Sequence, residues 1–355
     1  MKKILFDIGH PAHVHYFRNL IEILKSRDNQ VFLLARDKEV THHLLDAYNI
    51  PYQSKGKGGT GIIDRGIYTV KSLAAIHTSI RKFKPDLCIS HASPYLSVVS
   101  AMHKVPHLLI NDTEGAFLFS KMVSLFKPHL LLPDSFEKEI RSEHHKVPAY
   151  LELAYLHPEL YEPNSNILQK TGRDYLLVRF VSGSATHDLG SKAIDNEFKI
   201  RLVKALAAYK KVWISSEITL PPELEKYRLS VPPQNIHDVI AHASLLVGGS
   251  ATMSCEAAML GVPSVLINKN RWGYIRELEE RYGLVHHFKN TPEGQTQAIE
   301  KAISILKEDE DQNGNKTRNN PNKWKAKQTE ILKEKKNMTS ILLEQIDKIL
   351  DEKFA

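Results

Sequence analysis

The sequence predicts two doubly wound α/β domains in tandem. Three observations carry that prediction. Short apolar runs alternate with helix-length amphipathic segments, the alternation stops near residue 160 and then restarts, and glycine turns follow the opening strand of the first half and a central strand of the second. Short strands separated by helices imply βαβ units and therefore parallel sheets.

Taken in order, Lys3–Ile8 is an apolar strand closed by Gly9, and residues 16–25 follow with apolar positions at helical spacing. Residues 30–35 form the next strand, 41–48 and 68–83 are helices, and 85–90 is a strand ending at His91. A helix over Pro94–Met102 and strands over 106–111 and 129–132 complete the first half. Residues 55–61 are rich in Gly and Lys but lack the Gly-Lys-Ser/Thr ending of a phosphate loop, so they read as a mobile loop. Pro158 and Pro163 interrupt residues 155–165 and place the boundary there. The expected domains are thus 1–163 and 164–307, with a polar loop and a C-terminal helix over 308–355. In the second half, strands are expected over 175–180, 211–215, 245–247 and 264–267, with helices such as 196–209 and 236–243 between them. Residues 324–354 keep helical spacing through Ile331, Met338, Ile341, Leu342, Ile346 and Ile349 without a strict heptad, the pattern of one long helix packed on the body. Two such domains leave a cleft at the carboxyl ends of their strands, where ligands bind in sheets of this kind.

Composition narrows the function. The 355 residues, 42% hydrophobic and 25% charged, suffice for two cores. Cys88 and Cys255 both lie in apolar contexts, which suits buried thiols in a reducing compartment. Only five residues separate Lys3 from Gly9, too few for a signal peptide, and no run approaches a bilayer span; a cytoplasmic protein is expected. A formal charge of +7 suits an anionic ligand or an anionic membrane surface. Zinc-finger spacing, RNA-binding aromatics and helix-turn-helix punctuation are all missing, so no nucleic-acid partner is expected. Neither half opens with Gly-x-Gly-x-x-Gly, which argues against a dinucleotide cofactor, and no cofactor is expected.

Four segments carry candidate chemistry. Residues 248–266 read as strand end, glycine turn, helix and strand; backbone N–H groups at Gly249, Ser250, Ala251 and Thr252 would meet a phosphate at a helix N-terminus. Glu256 lies one turn deeper on the face of Thr252, placed to accept from vicinal sugar hydroxyls. An ordinary capped turn satisfies the same pattern. Gly9-His10-Pro11-Ala12-His13 sets two imidazoles after the first strand, able to donate to phosphate or move protons; no acid follows until Glu22, so a metal site is not expected. In Asn111-Asp112-Thr113-Glu114-Gly115 a carboxylate ends a strand and starts a helix; Asp there commonly caps, leaving Glu114 as the candidate general base. Finally, Arg179 leads into the small-residue loop of Ser182, Gly183, Ser184 and His187, which could approach a phosphate or simply be a flexible loop. Residues 116–133, with Phe117, Leu118, Phe119, Met122 and Phe126 beside Lys121 and Lys127, could lie on anionic lipid or pack into the core. The histidine pairs at 42–43, 144–145 and 286–287 read as polar faces or loops.

Together, Gly9-His10-Pro11, Asn111-Asp112-Thr113-Glu114, Arg179-Phe180-Val181-Ser182 with His187-Asp188, and Gly249-Ser250-Ala251-Thr252 with Glu256-Ala257-Ala258 resemble the GT-B superfamily of nucleotide-sugar enzymes. The chain is most similar to the domain-of-unknown-function family 354. The resemblance implies two Rossmann-like domains, a donor held mainly by the second and an acceptor by the first. The second-domain motif also resembles the non-hydrolysing UDP-N-acetylglucosamine 2-epimerases, whose Ser/Gly turn binds diphosphate and whose glutamate six residues on binds ribose; Ser250 and Glu256 keep that spacing, and Glu114 falls where a catalytic glutamate stands. Those epimerases carry an arginine where this chain has His10, and an acid where it has His91-Ala92-Ser93. The resemblance therefore implies metal-independent transfer from a UDP-linked sugar to a glycan or lipid-linked acceptor in cell-surface polysaccharide or glycolipid synthesis. Ser182, Ser184, His187, Ser250, Ala251 and Thr252 would hold the donor's phosphates, Glu256 its ribose, and Glu114 or His13 would activate the acceptor. A nucleotide-sugar epimerase and a catalytically silent nucleotide-sugar-binding protein are the alternatives.

Overall fold

In the computed structural model, residues 1–59, 61–115, 125–140, 144–182, 194–308 and 321–354 are described. They form two compact units, one of residues 1–160 with 336–355 and the other of residues 161–335.

Unit 1 is built on a seven-stranded parallel sheet in the order β3-β2-β1-β4-β5-β6-β7. The strands are β1 (Lys3–Ile8), β2 (Gln30–Asp37), β3 (Gln53–Lys57), β4 (Leu87–His91), β5 (His107–Ile110), β6 (His129–Pro133) and β7 (His144–Val147). Helices α1 (Pro11–Ser26), α2 (Thr41–Ala47), α3 (Ile62–Phe83) and α4 (Pro94–Met102) connect them. Strands β1, β4, β5 and β6 are buried runs covered on both faces, which is why they read as continuous apolar segments. The strand order reverses between β1 and β4, and at such a reversal the connections leave in opposite directions and open a crevice.

Unit 2 carries a five-stranded parallel sheet in the order β12-β11-β10-β8-β9. Its strands are β8 (Tyr175–Phe180), β9 (Lys211–Ser216), β10 (Leu245–Gly248), β11 (Ser264–Ile267) and β12 (Val285–Phe288), and the reversal falls between β8 and β10.

Several sequence expectations change. Residues 55–57 belong to strand β3 rather than to a mobile loop, with Lys55 buried inside it. Of the two settings expected for the histidine pairs at 144–145 and 286–287, polar faces or loops, the loop is replaced by strand: they lie in β7 and β12. Helix α1 begins at Pro11, five residues before the apolar periodicity, because Pro at the first position and the His10 cap start it. The expected C-terminal helix is present and is divided at residues 335–337 into two segments, Pro321–Glu334 and Met338–Phe354. The first packs in unit 2 and the second in unit 1, on α1 and the Leu153–Leu156 turn. Cys88 and Cys255 are buried free thiols, as read from the sequence. Among the described residues, no helix is long and apolar enough to cross a membrane.

Candidate functional site

In unit 2 the glycine turn is shaped by the strand beside it. Register pairs Gly248 with Arg179, and a Cβ on Gly248 would stand 2.1 Å from the Arg179 carbonyl oxygen, so only glycine fits. The Gly249 N–H donates to the same carbonyl at 3.2 Å, while the Asn268 amide donates to the Gly249 carbonyl at 2.9 Å and fixes the turn from the other side. Ser250 caps the helix Ala251–Met259, its hydroxyl accepting from the Met253 N–H at 3.2 Å. That leaves the N–H groups of the partly buried Ala251 and Thr252, at the first turn, without a protein acceptor among the described residues. The turn is therefore a rigid helix N-terminus with donors open to an anion.

Arg179 is committed within the protein. Its guanidinium forms an ion pair with Glu217 and donates to Ser215 Oγ at 2.8 Å, and the other Glu217 oxygen accepts from the Ser182 N–H at 3.0 Å. Arg179 thus anchors the start of the Ser182 loop through Glu217. Ser184 and His187 lie outside the described residues. Glu256 is 4% exposed and accepts from His237 Nε2 at 3.0 Å.

In unit 1 four aromatic or imidazole rings meet at the reversal point. His13 stacks on Tyr16 and lies 4.6 Å from His91 and 5.9 Å from His10, centroid to centroid. His10 caps α1, its Nδ1 accepting from the Ala12 N–H at 3.2 Å. His13 Nδ1 accepts from the Gly9 N–H at 3.2 Å. Burial first, then the neighbouring His91, His10, Lys38 and Lys55, hold the His13 pKa well below the ordinary imidazole value. A neutral ring whose Nδ1 accepts keeps its proton on Nε2, so His13 is set up to donate a hydrogen bond.

His91 is oriented in the opposite sense. Its Nε2 donates to Asp112 Oδ1 at 3.1 Å, which leaves Nδ1 as the lone-pair nitrogen of the neutral ring. Desolvation alone would raise the Asp112 pKa, but the hydrogen bonds from His91 and Thr113 outweigh it and hold the carboxyl below its usual range. The loop carrying His91 is pinned: Ala92 sits at φ +46°, and Ser93 caps α4 while donating to Asp7 Oδ2 at 2.5 Å. Asp7, buried at the end of β1, also pairs with Lys55 of β3. Glu114 accepts from the Glu137 N–H at 3.2 Å, while two other carboxylates meet the histidine cluster, Asp112 at His91 and Glu39 at 3.9 Å from His10 Nε2.

Sequence reasoning missed Asp7, Lys55, Glu217, Asn268 and His237. Asp7 did carry a signal, a lone charge inside an apolar strand; the others are visible only once the strands are aligned. Among the described residues, no three His, Cys, Asp or Glu side chains converge as a metal site would need.

Residues 2–148 match the family model described as "Protein of unknown function (DUF354)". The chain is 23% identical over 312 residues to an uncharacterized protein of Methanocaldococcus jannaschii, covering 78% of this chain and 89% of that protein. It superposes on a UDP-GlcNAc 2-epimerase of Neisseria meningitidis, solved with UDP-GlcNAc bound, with TM-score 0.67 at 13% identity over 98% of this chain and 100% of that one. The fold is GT-B. A spinosyn forosaminyltransferase shares it at TM-score 0.65 and 13% identity over 99% of each chain. Within the GT-B frame, the two reversal points, β1/β4 in unit 1 and β8/β10 in unit 2, are where the polar clusters described above sit.

Proposed function

We propose that this GT-B chain is a glycosyltransferase that takes a UDP-linked sugar and delivers it to a hydroxyl of a glycan or lipid-linked acceptor in cell-surface polysaccharide or glycolipid synthesis. The observation that carries the reading is the rigid turn Gly248–Thr252 with its Ala251 and Thr252 N–H groups open. Donors of this kind suit a diphosphate, and one neighbour in fold, the Neisseria meningitidis epimerase, was solved with UDP-GlcNAc bound. Ser250, Ala251 and Thr252 hold the diphosphate on the turn that Gly249 shapes, Ser182, Ser184 and His187 add donors to the phosphates or sugar, and Glu256 serves the ribose.

Transfer forms a bond from the acceptor oxygen to the anomeric carbon and breaks the bond from that carbon to the diphosphate, which leaves as UDP. The acceptor proton needs a base. His91 Nδ1, with Asp112 fixing the tautomer and stabilising the imidazolium, supplies one; His13 and His10 orient the acceptor by donation. Glu114, favoured by position in the sequence, is the competing base. Negative charge builds on the leaving diphosphate, and the helix N-terminus supports it there. The GT-B neighbours also include an epimerase, so the deciding measurement is incubation of the full chain with a panel of UDP-sugars and lipid or glycan acceptors. UDP release that requires acceptor supports transfer. Isomerised donor without acceptor would establish epimerisation instead, and tight UDP-sugar binding with neither product would leave a binding protein.

A further inference from the structure

Helix α3 packs its Tyr68, Ser72, Ile76, Ser79 and Ile80 side inward, yet its first half is apolar on the outer side as well. Ile63 is 79%, Ile67 49% and Val70 68% exposed. Spaced by four and three residues, they share one face of the helix, with exposed Ala74 next in the row and Arg81 beyond it. Aliphatic side chains at this spacing on a solvated face are not explained by the core they leave untouched. The charges nearby are one-sided. From Lys57 to Phe83 the exposed ionisable residues are Lys57, Arg65, Lys71, Arg81 and Lys82 against Asp64 alone, and none of Arg65, Lys71, Arg81 or Lys82 has an acidic partner among the described residues.

We propose that this face of α3 rests on an anionic lipid bilayer, the aliphatic row entering the headgroup boundary while Lys71, Arg81 and Lys82 meet anionic headgroups. Two considerations select a membrane over a second copy of the chain. Three aliphatic side chains and an alanine make a patch well short of the roughly 800 Å² per partner of a stable protein interface. A copy docking face to face would also bring like charges together, whereas an anionic surface neutralises them. The basic amphipathic pattern is that of a helix lying on the interface, not crossing it. The proposal does not depend on which reaction the chain performs.

The test is co-sedimentation of the full chain with vesicles of phosphatidylcholine containing about a third phosphatidylglycerol, against pure phosphatidylcholine, at low and high salt. The wild type is expected to pellet with the anionic vesicles at low salt and to be released by salt. Ile67→Glu with Val70→Glu, and separately Lys71→Glu with Lys82→Glu, should each weaken binding by about tenfold or more while unfolding temperature stays unchanged, since all four side chains are exposed. Met102→Glu, a change at an equally exposed apolar residue on α4, should leave binding intact. Wild-type protein that stays in the supernatant, variants that bind as well as wild type, or equal loss in the Met102 variant would each overturn the proposal. So would a dimer in sedimentation equilibrium that the Ile67/Val70 substitutions abolish, which would assign the face to a second copy.

Discussion

At the residue scale, His91 and Glu114 offer a direct contest for the acceptor proton. If His91 is the base, His91→Ala should lower kcat by about 10²–10⁴-fold while UDP affinity by calorimetry is unchanged, and Asp112→Asn should lower it less. A larger loss in Glu114→Gln than in His91→Ala would transfer the role to Glu114. On the proposed reading the diphosphate is held by N–H and hydroxyl groups, so activity should survive EDTA; recovery only on adding Mg²⁺ or Mn²⁺ would count against that account. Glu256 is both buried and paired. Glu256→Ala should therefore weaken UDP binding by about 1.5–3 kcal/mol and also cost stability by orphaning His237, whereas Glu256→Gln, which still accepts from His237, should separate the two by losing affinity at nearly wild-type unfolding temperature. Burial pushes the His107 pKa down to about 3, with Ser90 Oγ 2.9 Å away. The unfolded chain binds a proton there near pH 6.5 and the folded chain does not, so this contribution to stability is complete above pH 6.5 and declines as pH falls toward 3. Urea titrations from pH 7.5 to 4 should show wild type losing stability more steeply than His107→Gln, by up to one proton in slope; parallel curves would refute it. The imidazoles at 10 and 13 were legible because a glycine ended the strand before them. Asp112 was passed over because an aspartate at a helix start usually caps, and its partner His91 lies 21 residues away in sequence.

At the scale of elements, the strands that escaped sequence reading share a position. β3, β7 and β12 are all sheet edges. An edge strand has one solvated flank and needs no apolar run, so Gln-Ser-Lys-Gly-Lys and His-His-Lys-Val look like loops until the neighbour is known. The remaining edge, β9, was legible because its Val212 and Ile214 alternate with solvated neighbours. Edge strand β3 is held by the buried Lys55–Asp7 pair, reaching across β2 to β1. Removing one partner strands a charge in the core, so Lys55→Ala should cost about 3–5 kcal/mol in chemical denaturation, with much of it recovered by adding Asp7→Ala; no recovery would mean that the lysine acts through packing alone. On the donor side, Gly248→Ala drives a methyl into the β8 backbone and should destabilise unit 2 by more than about 2 kcal/mol.

At the scale of the whole molecule, the chain passes from unit 1 into unit 2 and back again, its last helix returning to α1. The tandem architecture was readable from two runs of alternating elements; the return was not, because apolar helical spacing records that a helix is buried and not against which body. Buried Ile341, Leu342, Ile346 and Ile349, with Thr339 Oγ1 donating to the Ala154 carbonyl at 2.8 Å, tie that helix to unit 1. All three tryptophans, Trp213, Trp272 and Trp324, belong to unit 2. A chain stopped after Lys335 should consequently show a far-UV transition lowered by about 10 °C or more, while the tryptophan fluorescence transition stays in place; fluorescence shifting in step with far-UV would refute the assignment. The same return path sets an order of events during synthesis. Unit 2 can close as soon as its own residues have left the ribosome, but unit 1 waits for residues 336–355, and the 175 residues of unit 2 take about 10–35 s to translate at roughly 5–20 residues per second. Throughout that interval the part of α1 that Met338–Phe354 covers in the finished fold lacks that cover, which leaves an apolar surface of the kind chaperones bind.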